Sequence, residues 1–219
     1  MKVTAVVFDM DGLMLDTEPL YKVAWQGASA ELGYPLDDPS YARLVGRPNS
    51  DCENELLAQF GSGFPLDQFR VRWAQCWRVE VAARGIQPKP GLQELLAFLQ
   101  ERRLPTAVAT SSEADYATFS LRHAGLEGRF EIIVTGEEVS RGKPAPDIYL
   151  EAARRLNVDP AGCIALEDSE AGTLAATRAG MRTLLVPDWL EPSDAAVRAA
   201  FRVLASLHDA RGVIADLLG

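Results

Sequence analysis

Pairs of acids and short polar clusters follow several apolar runs of this 219-residue sequence, and these residues could carry chemistry. The first pair, Asp9 and Asp11, comes directly after the apolar run Val3–Phe8 and before Gly12. Because side chains two positions apart on an extended backbone point to the same side, the two carboxylates should converge. Like charges this close favour a cation beside them, although acids and glycine are also common in a solvated turn.

Hydroxyl groups and a lysine follow in two later segments. Thr110 and Ser111 come after the apolar run Thr106–Ala109, where hydroxyls and free backbone amides could bind a phosphate oxygen. The alternative is a helix N-cap, for which Ser112 is well suited. Lys143 stands in a Gly-Lys-Pro segment, where the flanking prolines either hold the cation in a fixed loop or simply start a helix around a solvated charge.

A second pair of acids, Glu167 and Asp168, follows the apolar run Cys163–Leu166. Carboxylate oxygens at a strand end suit Mg²⁺, although Asp168 or Ser169 could instead cap the next helix. If the runs are parallel strands, all these polar residues meet at one edge of one sheet. Acids, hydroxyls and a cation brought together in this way predict a Mg²⁺-dependent phosphoryl-transfer site.

Short apolar runs alternate with longer helical segments, which predicts a doubly wound, Rossmann-like α/β core with a mostly parallel sheet. The predicted strands are Val3–Phe8, Thr106–Ala109, Ile132–Val134, Cys163–Leu166 and Thr183–Val186. The predicted helices between them are Leu92–Arg102, Glu113–Ala124, Pro146–Leu156 and Ala171–Ala179. The buried strands should form the centre of the fold, because parallel sheets are covered on both faces.

One region, from about residue 16 to residue 84, breaks the alternation with helices and no strand. The predicted helices there are Pro19–Leu32, Asp51–Phe60 and Leu66–Ala83, and the region holds nine of the 17 aromatic residues. Such an aromatic load can supply a small separate core. We therefore predict an all-α cap over residues 16–85, inserted into a core formed by residues 1–15 and 86–219. The alternative is an ordinary decoration of the first crossover.

Composition narrows the partners and the compartment. A net charge of −9 argues against a nucleic-acid surface and against an anionic membrane. No apolar run approaches the roughly 20 residues that span a bilayer, and the N-terminal run is too short for a signal peptide. The three scattered cysteines predict reduced thiols in a cytoplasmic protein. We expect a cytoplasmic monomer whose partner is a small phosphorylated metabolite.

Three stretches resemble the haloacid dehalogenase superfamily, and in particular its β-phosphoglucomutase-like phosphatase branch: FDMDGLMLDTEPLY, GKPAPDIYLEAA and EDSEAGTLAATRAGM. The resemblance covers nearly the whole chain. It implies that Asp9 is the nucleophile that takes the phosphoryl group, and that Asp11 is the general acid and base. It also implies that Thr110, Ser111 and Lys143 bind the transferring phosphoryl group.

The same resemblance implies a Mg²⁺ ion held by Asp9, Asp168 and the main-chain carbonyl of Asp11, with Glu167 acting through water. The implied reaction is hydrolysis of a sugar phosphate or a nucleoside monophosphate-like ester through an aspartyl-phosphate. Dehalogenases of this family lack the acid that corresponds to Asp11. Its presence here therefore argues against cleavage of a carbon–halogen bond. The alternatives are a β-phosphoglucomutase-type mutase and a non-catalytic binding or regulatory protein on the same scaffold.

The cap of such proteins contacts the leaving group, and the candidate contacts here are Glu18, Tyr21, Trp25, Arg47 and Asn49. Tyr21 and Trp25 are one helical turn apart and share a helix face. Packing inside the cap is an equally good explanation for both, since aromatic side chains favour burial. Mutase members usually carry a His where this chain has Tyr21, and this difference favours hydrolysis.

Overall fold

The computed structural model describes residues 3–45 and 49–219. The chain divides into two compact units, one formed by Met1–Asp16 with Gln87–Gly219 and the other by Thr17–Ile86. The predicted boundaries, after residues 15 and 85, each lie one residue earlier. The strands are β1 (Ala5–Phe8), β2 (Thr106–Ala109), β3 (Ile132–Val134), β4 (Cys163–Glu167), β5 (Arg182–Leu185) and β6 (Arg202–Val203).

The described residues of the second unit form the α-helices α1 (Glu18–Glu31), α2 (Asp38–Ala42), α3 (Asn49–Phe60) and α4 (Leu66–Arg84). The first unit carries α5 (Leu92–Glu101), α6 (Ala114–His123), α7 (Asp147–Leu156), α8 (Glu170–Arg178), α9 (Asp194–Ala199) and α10 (Leu207–Leu218). Within the part of the chain that the structure describes, none of these helices combines the length and apolarity needed to cross a bilayer.

The first unit is built on one sheet of six parallel strands in the order β3-β2-β1-β4-β5-β6. All residues of β1 are buried, as expected for a central strand covered on both faces. Phe8 lies opposite Val108 of β2 and Leu166 of β4, so the segments after these three residues leave the sheet at the same edge. The predicted doubly wound α/β class is confirmed.

The predicted strands are present, with ends that differ by at most two residues from the prediction. The prediction missed β6 and the helices α2, α9 and α10. β6 has two residues, both exposed, and such a short segment carries neither an apolar run nor an alternating pattern. It joins the sheet only because it pairs with the buried strand β5.

The second unit is helical in its described residues and has an aromatic core of its own. Trp25 of α1 packs edge-on against Phe69 of α4, with ring centroids 5.1 Å apart. Phe64 in turn packs against Phe69 at 5.3 Å. Aromatic pairs in this geometry contribute about 0.5–1.5 kcal/mol beyond the area that they bury. These contacts account for the high aromatic content of the region.

Candidate active site

Asp9 lies immediately after β1, where its backbone amide donates to the carbonyl of Leu166 at 3.0 Å. The residue is only 7% exposed, and its carboxylate is in contact with the ammonium group of Lys143. Burial raises the pKa of Asp9 to about 7; the charge of Lys143 opposes this rise and that of Glu167 adds to it. A buried acid against a buried cation is well placed for charge-dependent chemistry.

Lys143 precedes α7 and bridges two acids. Its Nζ lies 2.6 Å from Oε1 of Glu167 and also contacts the carboxylate of Asp9. Tyr149 donates its hydroxyl to the same Glu167 oxygen at 2.5 Å, and its ring centroid lies 5.2 Å from Nζ. Burial works to lower the pKa of Lys143, but the charges of Asp9 and Glu167 together outweigh it and raise the pKa. Lys143 is therefore a stably charged group at this position.

Three acids form a cluster that fits a divalent metal ion. One carboxylate oxygen from each of Asp9, Glu167 and Asp168 lies within 4.8 Å of the others. Burial raises the pKa of Asp168 well above its usual range, and the charges of Asp9 and Glu167 raise it further. Such mutual repulsion is relieved by a bound cation, and hard oxygen donors suit Mg²⁺.

Gly12 allows the turn after β1 to approach this acid cluster. Its φ is +82°, and a Cβ atom there would lie 2.3 Å from Oδ2 of Asp168. Both the left-handed backbone and the close approach require glycine at this point. The turn after β1 is thereby packed directly against the second acid pair.

Asp11 has different partners from Asp9. Its Oδ2 accepts a hydrogen bond from the hydroxyl of Ser112 at 3.0 Å, and its Oδ1 accepts one from the hydroxyl of Tyr116 at 2.8 Å. The interpretation of Ser112 as a helix N-cap is wrong, because the N-cap of α6 is Glu113 and the Ser112 hydroxyl binds Asp11 instead. The side chain of Asp11 is not a member of the acid cluster, while its carbonyl as a metal ligand stays a prediction.

Thr110 and Ser111 follow β2 at the same sheet edge. Thr110 is buried; its amide donates to the carbonyl of Val134 at 3.0 Å, and its Oγ1 accepts from the amide of Ser112 at 3.1 Å. Ser111 is exposed. Their role as phosphate ligands stays a prediction.

Ser169 caps α8, as one of the two sequence-based alternatives expected. Its Oγ accepts from the amide of Gly172 at 3.1 Å and donates to Oε2 of Glu167 at the same distance. Asp168 is not the cap, which leaves its carboxylate in the acid cluster. One serine thus starts the helix and orients a buried acid.

Of the three polar cap candidates, the structure describes Glu18 in full, Asn49 by its backbone alone and Arg47 not at all. The carboxylate of Glu18 accepts a hydrogen bond from the hydroxyl of Tyr41 at 2.7 Å. Burial and this carboxylate raise the pKa of Tyr41. Arg47 lies outside the described residues, and Asn49 begins α3 with a side chain that is not described. A substrate contact by any of the three stays a prediction.

Tyr21 and Trp25 take part in the aromatic packing of the cap. The ring of Tyr21 stacks on Trp77 at 6.0 Å and lies 5.8 Å from Trp73. Trp25 is only 6% exposed and packs against Phe69. These contacts fit the packing alternative, and a substrate contact by either residue stays a prediction.

Sequence reasoning missed two tyrosines that bind the catalytic candidates. Tyr149 binds Glu167, and Tyr116 binds Asp11. Both lie in the first turn of a helix that follows a predicted polar segment. A hydroxyl in that position was an available signal, because the first turn of such a helix lies at the same sheet edge as the strand ends.

The sequence analysis also missed an ion pair that lies beside the turn after β1. Lys89 contacts the carboxylate of Asp188, and its Nζ is 3.6 Å from Oδ1 of Asp16. Burial raises the pKa of Asp188 while Lys89 works to lower it. A Cβ atom on Gly12 would also come within 3.3 Å of Oδ2 of Asp188, so this ion pair adjoins the turn that carries Asp11.

A comparison with protein families matches residues 3–180 to a model described as a haloacid dehalogenase-like hydrolase. Among curated proteins, the chain is 35% identical to a phosphorylated carbohydrates phosphatase of Thermotoga maritima, covering 82% of this chain and 83% of that protein. It is 38% identical to a "Probable pseudouridine-5'-phosphatase" of Drosophila melanogaster, covering 95% of this chain and 91% of that protein.

Solved structures agree with these matches. The chain superposes on the structure described as a "putative beta-phosphoglucomutase" from Thermotoga maritima with a TM-score of 0.84 and 32% identity. The superposition covers 99% of each chain. The similarity that three stretches of the sequence indicated therefore extends over the whole fold.

Proposed function

Because the chain belongs to the haloacid dehalogenase-like hydrolases, we propose that it hydrolyses a small phosphate monoester through an aspartyl-phosphate formed on Asp9. The observation that carries the proposal is the buried pair of Asp9 and Lys143 beside Glu167 and Asp168. The substrate class that we propose is a sugar phosphate or a nucleoside monophosphate-like ester. The names of the phosphatases to which the chain is similar support this class.

In the first step, a carboxylate oxygen of Asp9 attacks the phosphorus atom. The bond from phosphorus to the leaving oxygen breaks, and that oxygen takes a proton from the carboxyl group of Asp11. The ammonium group of Lys143 offsets the charge that gathers on the phosphoryl oxygens. Covalent capture of this kind divides one difficult displacement into two easier ones.

In the second step, a water molecule attacks the phosphorus of the aspartyl-phosphate. The carboxylate of Asp11 takes a proton from that water, and inorganic phosphate leaves as the Asp9 carboxylate is restored. Proton transfer by a positioned acid and base typically contributes about 10²–10⁴-fold to the rate. A Mg²⁺ ion held by Asp9, Glu167 and Asp168 would reduce the repulsion between the attacking carboxylate and the phosphate dianion.

The proposal is tested on a panel of phosphorylated metabolites. We expect Mg²⁺-dependent release of inorganic phosphate from a subset of sugar phosphates or nucleoside monophosphates, and its loss in EDTA. Incubation with β-glucose 1-phosphate distinguishes a mutase, which would form glucose 6-phosphate without releasing phosphate. A panel with no Mg²⁺-stimulated turnover would instead support a non-catalytic protein on this scaffold.

A methyl group on Gly172 should disturb the acid cluster. A Cβ atom there would lie 1.7 Å from Oε1 of Glu167, the oxygen that binds both Lys143 and Tyr149. We expect Gly172→Ala to lower kcat/KM by roughly tenfold or more, because small displacements of catalytic groups are costly. The Mg²⁺ concentration for half-maximal activity should rise, as a titration of the activity with Mg²⁺ would measure.

Gly27→Ala is the matched control. Gly27 lies inside α1, and a Cβ atom there would meet nothing within 4 Å. Since alanine is favoured over glycine in a helix by about 1 kcal/mol, this variant should raise Tm and leave turnover unchanged. If kcat/KM of Gly172→Ala were equal to that of wild type, the position of the Glu167 carboxylate would not matter for the reaction.

A further inference from the structure

Two hydroxyl groups that the reaction scheme does not use bind Asp11. The hydroxyl of Tyr116 donates to Oδ1 at 2.8 Å, and the hydroxyl of Ser112 donates to Oδ2 at 3.0 Å. Bonds to both oxygens restrict the rotation of the carboxyl group about its Cβ–Cγ bond. Asp11 is thus held from the side of β2 and α6, whereas Asp9 is held by the cation Lys143.

Asp9 and Asp11 differ in these partners. An ammonium partner favours the charged form of Asp9, as a nucleophile or a metal ligand requires. Neutral hydroxyl partners can stay bound to Asp11 whether or not it carries a proton, because each carboxyl oxygen has two lone pairs. These hydroxyl partners are therefore compatible with a group that gives up a proton and takes one back in each turnover.

The hydroxyl groups are themselves fixed by the fold. The amide of Ser112 donates to Oγ1 of Thr110 at 3.1 Å, and its carbonyl accepts from the amide of Gly136 at 3.1 Å. Tyr116 lies in the first turn of α6, where its carbonyl accepts from the hydroxyl of Ser120 at 2.8 Å. Side chains supported in this way can hold a reacting group to within a fraction of an ångström.

We propose that Tyr116, together with Ser112, is a positioning residue for proton transfer, which orients the Asp11 carboxyl group toward the leaving oxygen. The inference rests on the proposed function, since it assumes that Asp11 protonates a leaving alcohol. Its consequence is specific to the leaving group. An alkoxide needs a proton to leave, whereas p-nitrophenolate is stable without one, so poor orientation penalises alkyl phosphates most.

The test compares kcat/KM of wild type and Tyr116→Phe for p-nitrophenyl phosphate, phenyl phosphate and an alkyl phosphate that the enzyme accepts. The ratio kcat/KM reports the steps up to departure of the alcohol. We expect Tyr116→Phe to lose roughly tenfold or more on the alkyl phosphate and less than about twofold on p-nitrophenyl phosphate. Ser112→Ala should steepen the dependence on leaving-group basicity in the same direction.

Tyr34→Phe is the matched control, because its hydroxyl donates to the carbonyl of Gly63 in the second unit. It should leave kcat/KM unchanged for all three esters. In an Asp11→Ala background, Tyr116→Phe should cause no further loss, since it acts only through Asp11.

An equal loss on all three esters, no loss at all, or an additive loss without Asp11 would each overturn the assignment of Tyr116. These outcomes leave the proposed function intact, because wild type still releases phosphate. If wild type releases no phosphate from any ester, the proposed function fails and the assignment fails with it.

Discussion

Asp9→Asn should abolish the release of phosphate from p-nitrophenyl phosphate, with turnover lower by roughly 10⁴-fold or more. Asparagine keeps the shape of the side chain, but its amide is a poor nucleophile and cannot form the aspartyl-phosphate. p-Nitrophenyl phosphate tests the nucleophile most directly, because its leaving group needs little protonation by Asp11. Turnover is measured in excess Mg²⁺, which reduces any contribution from weaker metal binding.

The same substitution should leave the fold intact and make the metal-free protein less sensitive to pH. In wild type, burial raises the pKa of Asp9 from 3.8 to about 7. Between these values the folded state binds more protons than the unfolded state, so stability falls as the pH rises through this window. Asparagine does not titrate. With EDTA present, Asp9→Asn should therefore exceed wild type in Tm at pH 8, by a margin that shrinks toward pH 4.

Asp216→Asn on α10 is the control, because this acid is exposed. It should change neither turnover nor the pH dependence of Tm. A loss of turnover in Asp9→Asn of much less than about 10⁴-fold, at an unchanged far-ultraviolet circular dichroism spectrum, would place the nucleophile on another residue. A Tm of Asp9→Asn that falls with pH as steeply as that of wild type would contradict the electrostatic argument.

The sequence predicted those parts of the fold that rest on local patterns. β1 and β2 could be recognised because each is a buried apolar run that ends in polar residues. β6 could not, because its two residues are exposed and join the sheet only by pairing with β5. The short helices α2 and α9 likewise carry too few turns for a helical period to appear.

The candidate site, like the fold, could be predicted from the sequence only in part. Asp9, Glu167 and Asp168 could be brought together from the sequence, because parallel strands end at one edge of a sheet. The contact of Tyr116 with Asp11 spans 105 positions and joins a helix to a turn. Its position in the first turn of α6 places Tyr116 near this sheet edge, but the acid that its hydroxyl reaches depends on how the helix packs, and no local pattern records that.

Lys143→Met should lower kcat/KM by about 10³-fold, because the ammonium group offsets the charge of both Asp9 and the phosphoryl oxygens. Methionine keeps most of the length and apolar volume of the side chain. The fold should weaken as well. The Lys143 and Glu167 side chains are 6% and 0% exposed, and removal of one partner of a buried ion pair costs about 3–5 kcal/mol.

The loss of activity and the loss of stability both come from removing the ammonium group, but they can be measured separately. In the double variant Lys143→Met with Glu167→Gln, no uncompensated charge remains at position 167, so much of the stability should return while kcat/KM stays far below that of Glu167→Gln alone. Lys22→Met, which breaks an exposed pair with Asp38, should leave both the free energy of unfolding and turnover almost unchanged. Denaturant unfolding and phosphate release measure the two quantities. If the double variant recovered stability and matched the kcat/KM of Glu167→Gln alone, Lys143 would serve the fold and not the phosphoryl group.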